Sequence, residues 1–91
     1  MKIVVNQSHG IFKLSQQAED LLKERNYDYN HVETWRTDPI LISVIEDLGS
    51  EKVSGEWARI KIIEIPDDVD WQIGEYDGIE WIEEKHRTWN D

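Results

Sequence analysis

Apolar residues recur along the chain in short patterned stretches separated by polar breaks. Lys2-Ile3-Val4-Val5-Asn6 is a β-branched run, the pattern of a first strand covered on both faces. Gln7-Ser8-His9-Gly10 reads as a loop. Ser15, after Leu14, has the chemistry of a helix N-cap, with Glu19 and Asp20 near the positive end of the helix dipole. Ala18, Leu21 and Leu22 supply that helix's apolar stripe. Lys23 and Arg25 suit its last turn, and Asn26 can leave it in a left-handed conformation. Tyr27 to Trp35, which carries His31, shows no clear period and reads either as an extended connection or as an irregular edge strand. Asp38-Pro39 then places a cap before a proline at the first helical position, where a missing N–H costs little. Ile40, Leu41, Val44, Ile45 and Leu48 fall on one face of this second helix, and Gly49 marks its stop.

The second half of the chain reads as strands. From Trp57 to Ile65, Ala58, Ile60 and Ile62 share one face, while Trp57, Arg59, Lys61, Ile63 and Ile65 share the other. Pro66-Asp67-Asp68 ends the run. Asp77-Gly78 is a two-residue hairpin signal between Trp71–Tyr76 and a segment from Ile79 to about His86. A helix over Ile79–Lys85 competes, because Ile79, Ile82 and His86 also fit helical spacing. The hairpin is preferred. Its register opposes Tyr76 to Ile79, Glu75 to Glu80, Ile73 to Ile82 and Trp71 to Glu84, which makes Glu75 and Glu80 a like-charge pair. Four conditions could relieve that pair: a basic partner, a metal ion, a proton held at raised pKa, or exposure to water. The expected fold is a single α+β domain over residues 1–91. It has a small, mainly antiparallel sheet of about four strands, ending in the C-terminal hairpin, with two helices packed on one face.

Composition narrows the function. Ninety-one residues make one small domain, and the absence of Cys excludes disulfides and thiolate chemistry. No apolar run is long enough for a membrane span, and the first residues do not read as a signal peptide, so the expected location is the cytoplasm. Twenty acids against ten bases give a net charge of −10, which argues against direct contact with nucleic-acid phosphates. The acidity is uneven. Residues 1–45 carry six acids and five bases, whereas residues 46–91 carry fourteen acids and five bases. From Glu64 to Glu84 there are nine acids and no base, interleaved with Trp71, Ile73, Tyr76, Ile79, Trp81 and Ile82. That mixture is folded backbone presenting carboxylates rather than a low-complexity tail.

The C-terminal string from Tyr76 to Trp89 resembles the ending of a family of small, functionally uncharacterised proteins of tailed bacteriophages and large DNA viruses. That ending has the form Y-D-G-x-E-x-[IV]-x-E-x-H-R-x-W. Glu64-Ile65-Pro66 with Val69, Trp71 and Ile73 fits the preceding segment, and Arg36, Asp38 and Pro39 match an Arg-x-Asp-Pro element. Gly10-Ile11-Phe12-Lys13-Leu14-Ser15 matches G-G-F-x-L-S with Ile11 in place of the second Gly. The resemblance implies a viral accessory protein and singles out Glu80, Glu84, His86, Arg87 and Trp89, with Arg36 and Asp38.

Three functional readings follow. The favoured one is a non-enzymatic inhibitor in host takeover or anti-defence. In this reading Asp67, Asp68, Asp70, Glu75, Glu80, Glu83 and Glu84 form a nucleic-acid-mimicking patch for a basic host protein. The plain alternative is a solvated acidic surface that keeps a small domain soluble. A second reading is a protein that sequesters a nucleotide signal, with Arg36, His86 and Arg87 holding phosphate, Trp35, Trp71 or Trp89 stacking a base, and the Ser8-His9-Gly10 loop, shortly before a helix start, as an anion seat. The Arg and His could equally form structural ion pairs with Glu80 or Glu84. A third reading is an enzyme using Glu80, Glu84 and His86, with His9 or His31 as added ligands. No metal or nucleotide motif supports it, and no cofactor or metal is expected. An open sheet with an exposed Trp edge also leaves room for a homodimer.

Overall fold

The computed structural model describes residues 1–30 and 34–85. In it the chain forms β1 (Lys2–Asn6), α1 (Gln16–Glu24), a 3₁₀ turn (Trp35–Thr37), α2 (Pro39–Val53), β2 (Ile60–Glu64), β3 (Trp71–Tyr76) and β4 (Ile79–Glu84). The helix starts follow from local chemistry. Ser15 Oγ accepts from the Ala18 N–H at 3.1 Å, and Asp38 Oδ1 accepts from the Ile40 and Leu41 N–H groups at 2.8 and 3.2 Å. Both satisfy donors that a helix end leaves unpaired. Asn26 does leave α1 with a φ of 59°.

β1 pairs antiparallel with β2, Val4 opposite Ile62 and Asn6 opposite Ile60. Both helices contribute to a core on the face that carries Val4 and Ile60. Ala18 and Leu22 of α1 meet Leu41, Val44, Ile45 and Val53 of α2 there, all buried. Alternation turns Ile3 and Val5 to the opposite face, outside this cluster, yet both are fully buried. β1 is therefore covered on both sides, as its unbroken β-branched run implies. The C-terminal segment is a strand, not a helix, and the hairpin has the expected register from Trp71 opposite Glu84 to Tyr76 opposite Ile79. Asp77 and Gly78 take φ values of 52° and 93°, the positive pair that a tight two-residue hairpin turn requires. Trp81 lies across its cross-strand partner Gly74, an aromatic cover for a residue with no side chain of its own.

The α+β class and the four strands hold, but three details differ from expectation. The strands form two two-stranded ladders, β1–β2 and β3–β4, joined by an isolated backbone bridge between Gln7 and Ile79 instead of a continuous sheet. Gly49 breaks α2 with a φ of 84° rather than ending it. A further turn follows, burying Val53 and tying Ser50 Oγ to the Ile60 carbonyl at 2.6 Å. β2 begins at Ile60 rather than Trp57, because Trp57 has a φ of 68° and Ala58 N–H closes a turn onto the Gly55 carbonyl at 3.1 Å. Of the ambiguous stretch from Tyr27 to Trp35, His31 lies outside the described residues, while Trp35 opens the 3₁₀ turn.

Removing the α2 cap tests this account of the helix start. Asp38→Ala should destabilise the domain by about 1–2 kcal/mol, read as a lower melting temperature with the secondary structure retained.

Candidate functional site

Met1 O and Gln7 N bond to Ile65 and Arg59 across the first ladder. The odd-numbered positions of β1 thus face β2, and the even-numbered ones turn their N–H and C=O groups to the other edge. Two side chains meet that edge. Arg36 Nη1 donates to the Val4 carbonyl at 2.9 Å, and Glu80 Oε1 accepts from the Asn6 N–H at 2.8 Å. Arg36 and Glu80 also grip each other through two parallel bonds of 2.8 Å, Nη1 to Oε1 and Nη2 to Oε2. An ion pair therefore stands between β1 and β4 where a continuous sheet would run backbone bonds.

Both side chains are largely shielded, 19% exposed for Arg36 and 13% for Glu80. The guanidinium carbon sits 4.4 Å from the centroid of the Trp35 ring, and that ring meets Phe12 edge-on at 4.8 Å. Asn6, 1% exposed, completes the junction. Its side-chain amide donates to the Gly10 carbonyl at 2.9 Å and the Gly78 carbonyl at 3.3 Å, and its Oδ1 accepts from the Arg59 N–H at 2.9 Å. The hairpin turn is pressed onto the same loop. A Cβ at Gly78 would stand 2.5 Å from the His9 carbonyl oxygen, so only glycine fits there.

This geometry answers the like-charge pair of Glu75 and Glu80. Of the four expected remedies, the basic partner is the one in place for Glu80. Glu75 turns instead to the hairpin's own backbone, accepting from the Gly78 N–H at 2.7 Å. Two candidate assignments change as a result. Glu80 does not belong to an exposed acidic patch, and Arg36 is engaged in a structural ion pair rather than turned out to grip phosphate. Burial alone would raise the Glu80 pKa. The Arg36 hydrogen bond, the Asn6 N–H and the Arg36 charge outweigh it and hold the carboxyl below the ordinary glutamate value.

The remaining acidic candidates lie at the surface. Asp67, Asp68, Asp70, Glu75 and Glu84 are exposed, and Glu83 is half-buried, accepting from Gln72 Nε2 and Trp81 Nε1, both at 3.1 Å. Asp67 pairs with the N-terminal amino group at 2.5 Å, which lowers its pKa by hydrogen bond and charge. Asp70 lies 3.9 Å from Lys85 Nζ, a loose exposed contact. Trp71 is half-buried at the start of β3. His86, Arg87 and Trp89 lie outside the described residues. Among the described residues no cluster of three or more His or acidic side chains could hold a metal ion.

Sequence reasoning misses a second feature, the corner where Trp57 meets the loop after β1. The alternating pattern puts Trp57 within a strand, yet it has left-handed backbone and a side chain 77% exposed. Gly55 two residues earlier is the available signal that the chain turns there. Ser8 Oγ donates to the Trp57 carbonyl and accepts from the Gly10 N–H at 3.1 Å. A Cβ on Gly10 would collide with the Trp57 carbonyl oxygen at 2.1 Å, so glycine is needed for this approach. No known protein family, curated protein or solved structure matches the chain.

The junction has a pH signature. With its folded pKa depressed, Glu80 contributes stability that is fully present above the ordinary value of 4.5 and is lost as pH falls through the folded value. Glu80→Gln should lower stability near neutral pH by about 2 kcal/mol, since it leaves Arg36 shielded without a counter-charge. It should also flatten the dependence of stability on pH below 4.5, measured by urea unfolding across an acid series. An unchanged acid profile would show that the pair does not hold the fold.

Proposed function

We propose that the protein acts by binding rather than by catalysis, presenting the acidic segment from Glu64 to Glu84 to a basic, nucleic-acid-binding surface of a host protein. One observation carries this reading. Of nine acids in a stretch without any base, seven are exposed, while Glu80 is shielded in an ion pair with Arg36. The exposed ones lie at the end of β2, on the 66–70 loop, and on both strands and the turn of the hairpin. A locked hairpin holds its charges in fixed relation, which is what distinguishes a mimic from a diffuse acidic cloud. Complementary potential of this kind speeds encounter and rejects like-charged competitors. Half-buried Trp71 and exposed Trp81 and Tyr76 on the same hairpin add apolar area beside the charges.

The resemblance of the Tyr76–Trp89 string to a viral family supports host takeover or anti-defence as the setting and the host cytoplasm as the place. The junction supports the non-enzymatic reading, because Glu80, the shielded carboxylate with a clearly shifted pKa, is spent on Arg36 and Asn6.

The test is capture of a partner from host-cell lysate at low and high salt, followed by affinity measurement with the captured protein. The variant Asp68→Lys/Asp70→Lys/Glu84→Lys reverses three surface charges with no role in the junction. It should weaken binding about tenfold or more and reduce the salt dependence, since exposed charge contacts are screened. Unchanged affinity in this variant would rule out the mimic.

A further inference from the structure

Trp57 combines a left-handed backbone with an exposed position. A bulky residue in the left-handed region is strained by on the order of 1 kcal/mol or more, and glycine would adopt the same φ of 68° freely. The indole is 77% exposed, so little burial compensates that strain. Ser8 and Gly10 nonetheless hold this backbone in place. Trp57 lines an open groove of about 550 Å³ together with Ser8, His9, Ala58 and Arg59.

The charge of this groove runs against the rest of the molecule. Its lining holds two basic side chains, His9 and Arg59, and no acid, in a chain with twice as many acids as bases. The groove beside Phe12 and Leu14, by contrast, carries two acids, Glu19 and Glu56, and one base, Lys13. Arg25 and Arg36 are each held by a carboxylate, Asp47 and Glu80, but the Arg59 guanidinium has no carboxylate in ion-pair range among the described residues. His9 is 69% exposed, with Nδ1 3.4 Å from Asp77, an acid that does not line the groove.

A tryptophan on a fixed backbone, lining one groove with an arginine and a histidine, is suited to a planar aromatic anion. We infer that the groove bounded by Trp57, Arg59 and His9 is a binding site for a mononucleotide. The base stacks on the Trp57 indole, and the phosphate is held by Arg59, whose fork of N–H groups matches phosphate oxygens, with His9 as second donor. The site is separate from the acidic surface and does not depend on it. It lies apart from Arg36, and His9 belongs to the Ser8-His9-Gly10 loop that the sequence also offers as an anion seat.

The experiment is titration of the full chain with AMP, adenosine and inorganic phosphate, followed by amide and indole N–H resonances in heteronuclear NMR. AMP should shift the Trp57 indole signal and the Arg59 backbone signal saturably, adenosine more weakly, and phosphate alone hardly at all. Trp57→Gly should weaken AMP binding about tenfold or more, the scale of one base–aromatic stack, while leaving the melting temperature unchanged or higher. Arg59→Gln should remove the preference for AMP over adenosine. No saturable shift with millimolar AMP would overturn the proposal. So would equal binding of AMP and phosphate, or a Trp57→Gly variant that binds AMP like the parent. A large loss of stability in Trp57→Gly would overturn it too, by showing that the tryptophan serves the fold.

Discussion

The fold depends on how one strand edge is closed. β1 is covered on both faces and bonded to β2 along one side, which leaves the Val4 carbonyl and the Asn6 N–H on the other. Shielded backbone groups without partners are costly, and a paired strand is the usual remedy. Here Arg36 supplies the donor and Glu80 the acceptor instead, and the two join each other by two 2.8 Å bonds. An ion pair by itself is weak evidence for stability, because removing two charges from water opposes their attraction. This one is also bound to backbone on both sides and stacked on Trp35, so its loss would leave several polar groups unpaired at once. Asn6 extends the same logic to the hairpin turn and to β2.

That arrangement divides the labour among residues that look alike in the sequence. Arg36, Asp38, Asp77, Gly78 and Glu80 all fall in the motifs that resemble the viral family. In the structure each of them serves the fold, as half of an ion pair, as a helix cap or as part of the hairpin turn. Arg36, Gly78 and Glu80 are thus the residues that attach the hairpin to the body. Asp68, Glu84 and the Trp57 side chain, by contrast, are exposed and have no part in this junction.

The elements legible in the sequence are those governed by local chemistry. Ser15 and Asp38 announce helix starts through side-chain acceptors, and Asp77-Gly78 announces a hairpin and its register through positive φ, all independent of distant partners. What needs three dimensions is the division into two ladders, because nothing near Glu80 in sequence says that Arg36, forty-four residues earlier, will occupy the space beside β1. The like-charge register of Glu75 and Glu80 does pose the right question, and a structural pairing of Arg36 with Glu80 is among the expectations. Trp57 is misplaced because an alternating apolar pattern runs straight through it. Tertiary contacts of Ser8 and Gly10 override that pattern.

The proposed binding through a nucleic-acid-like surface makes a specific demand. The mimic and real nucleic acid must compete for the same site. The most direct measurement is therefore the affinity of the captured host protein for this chain in rising concentrations of duplex DNA at fixed ionic strength. Mutually exclusive binding, with apparent affinity falling in proportion to occupied DNA sites, is the predicted result. A ternary complex of host protein, DNA and this chain would contradict the account.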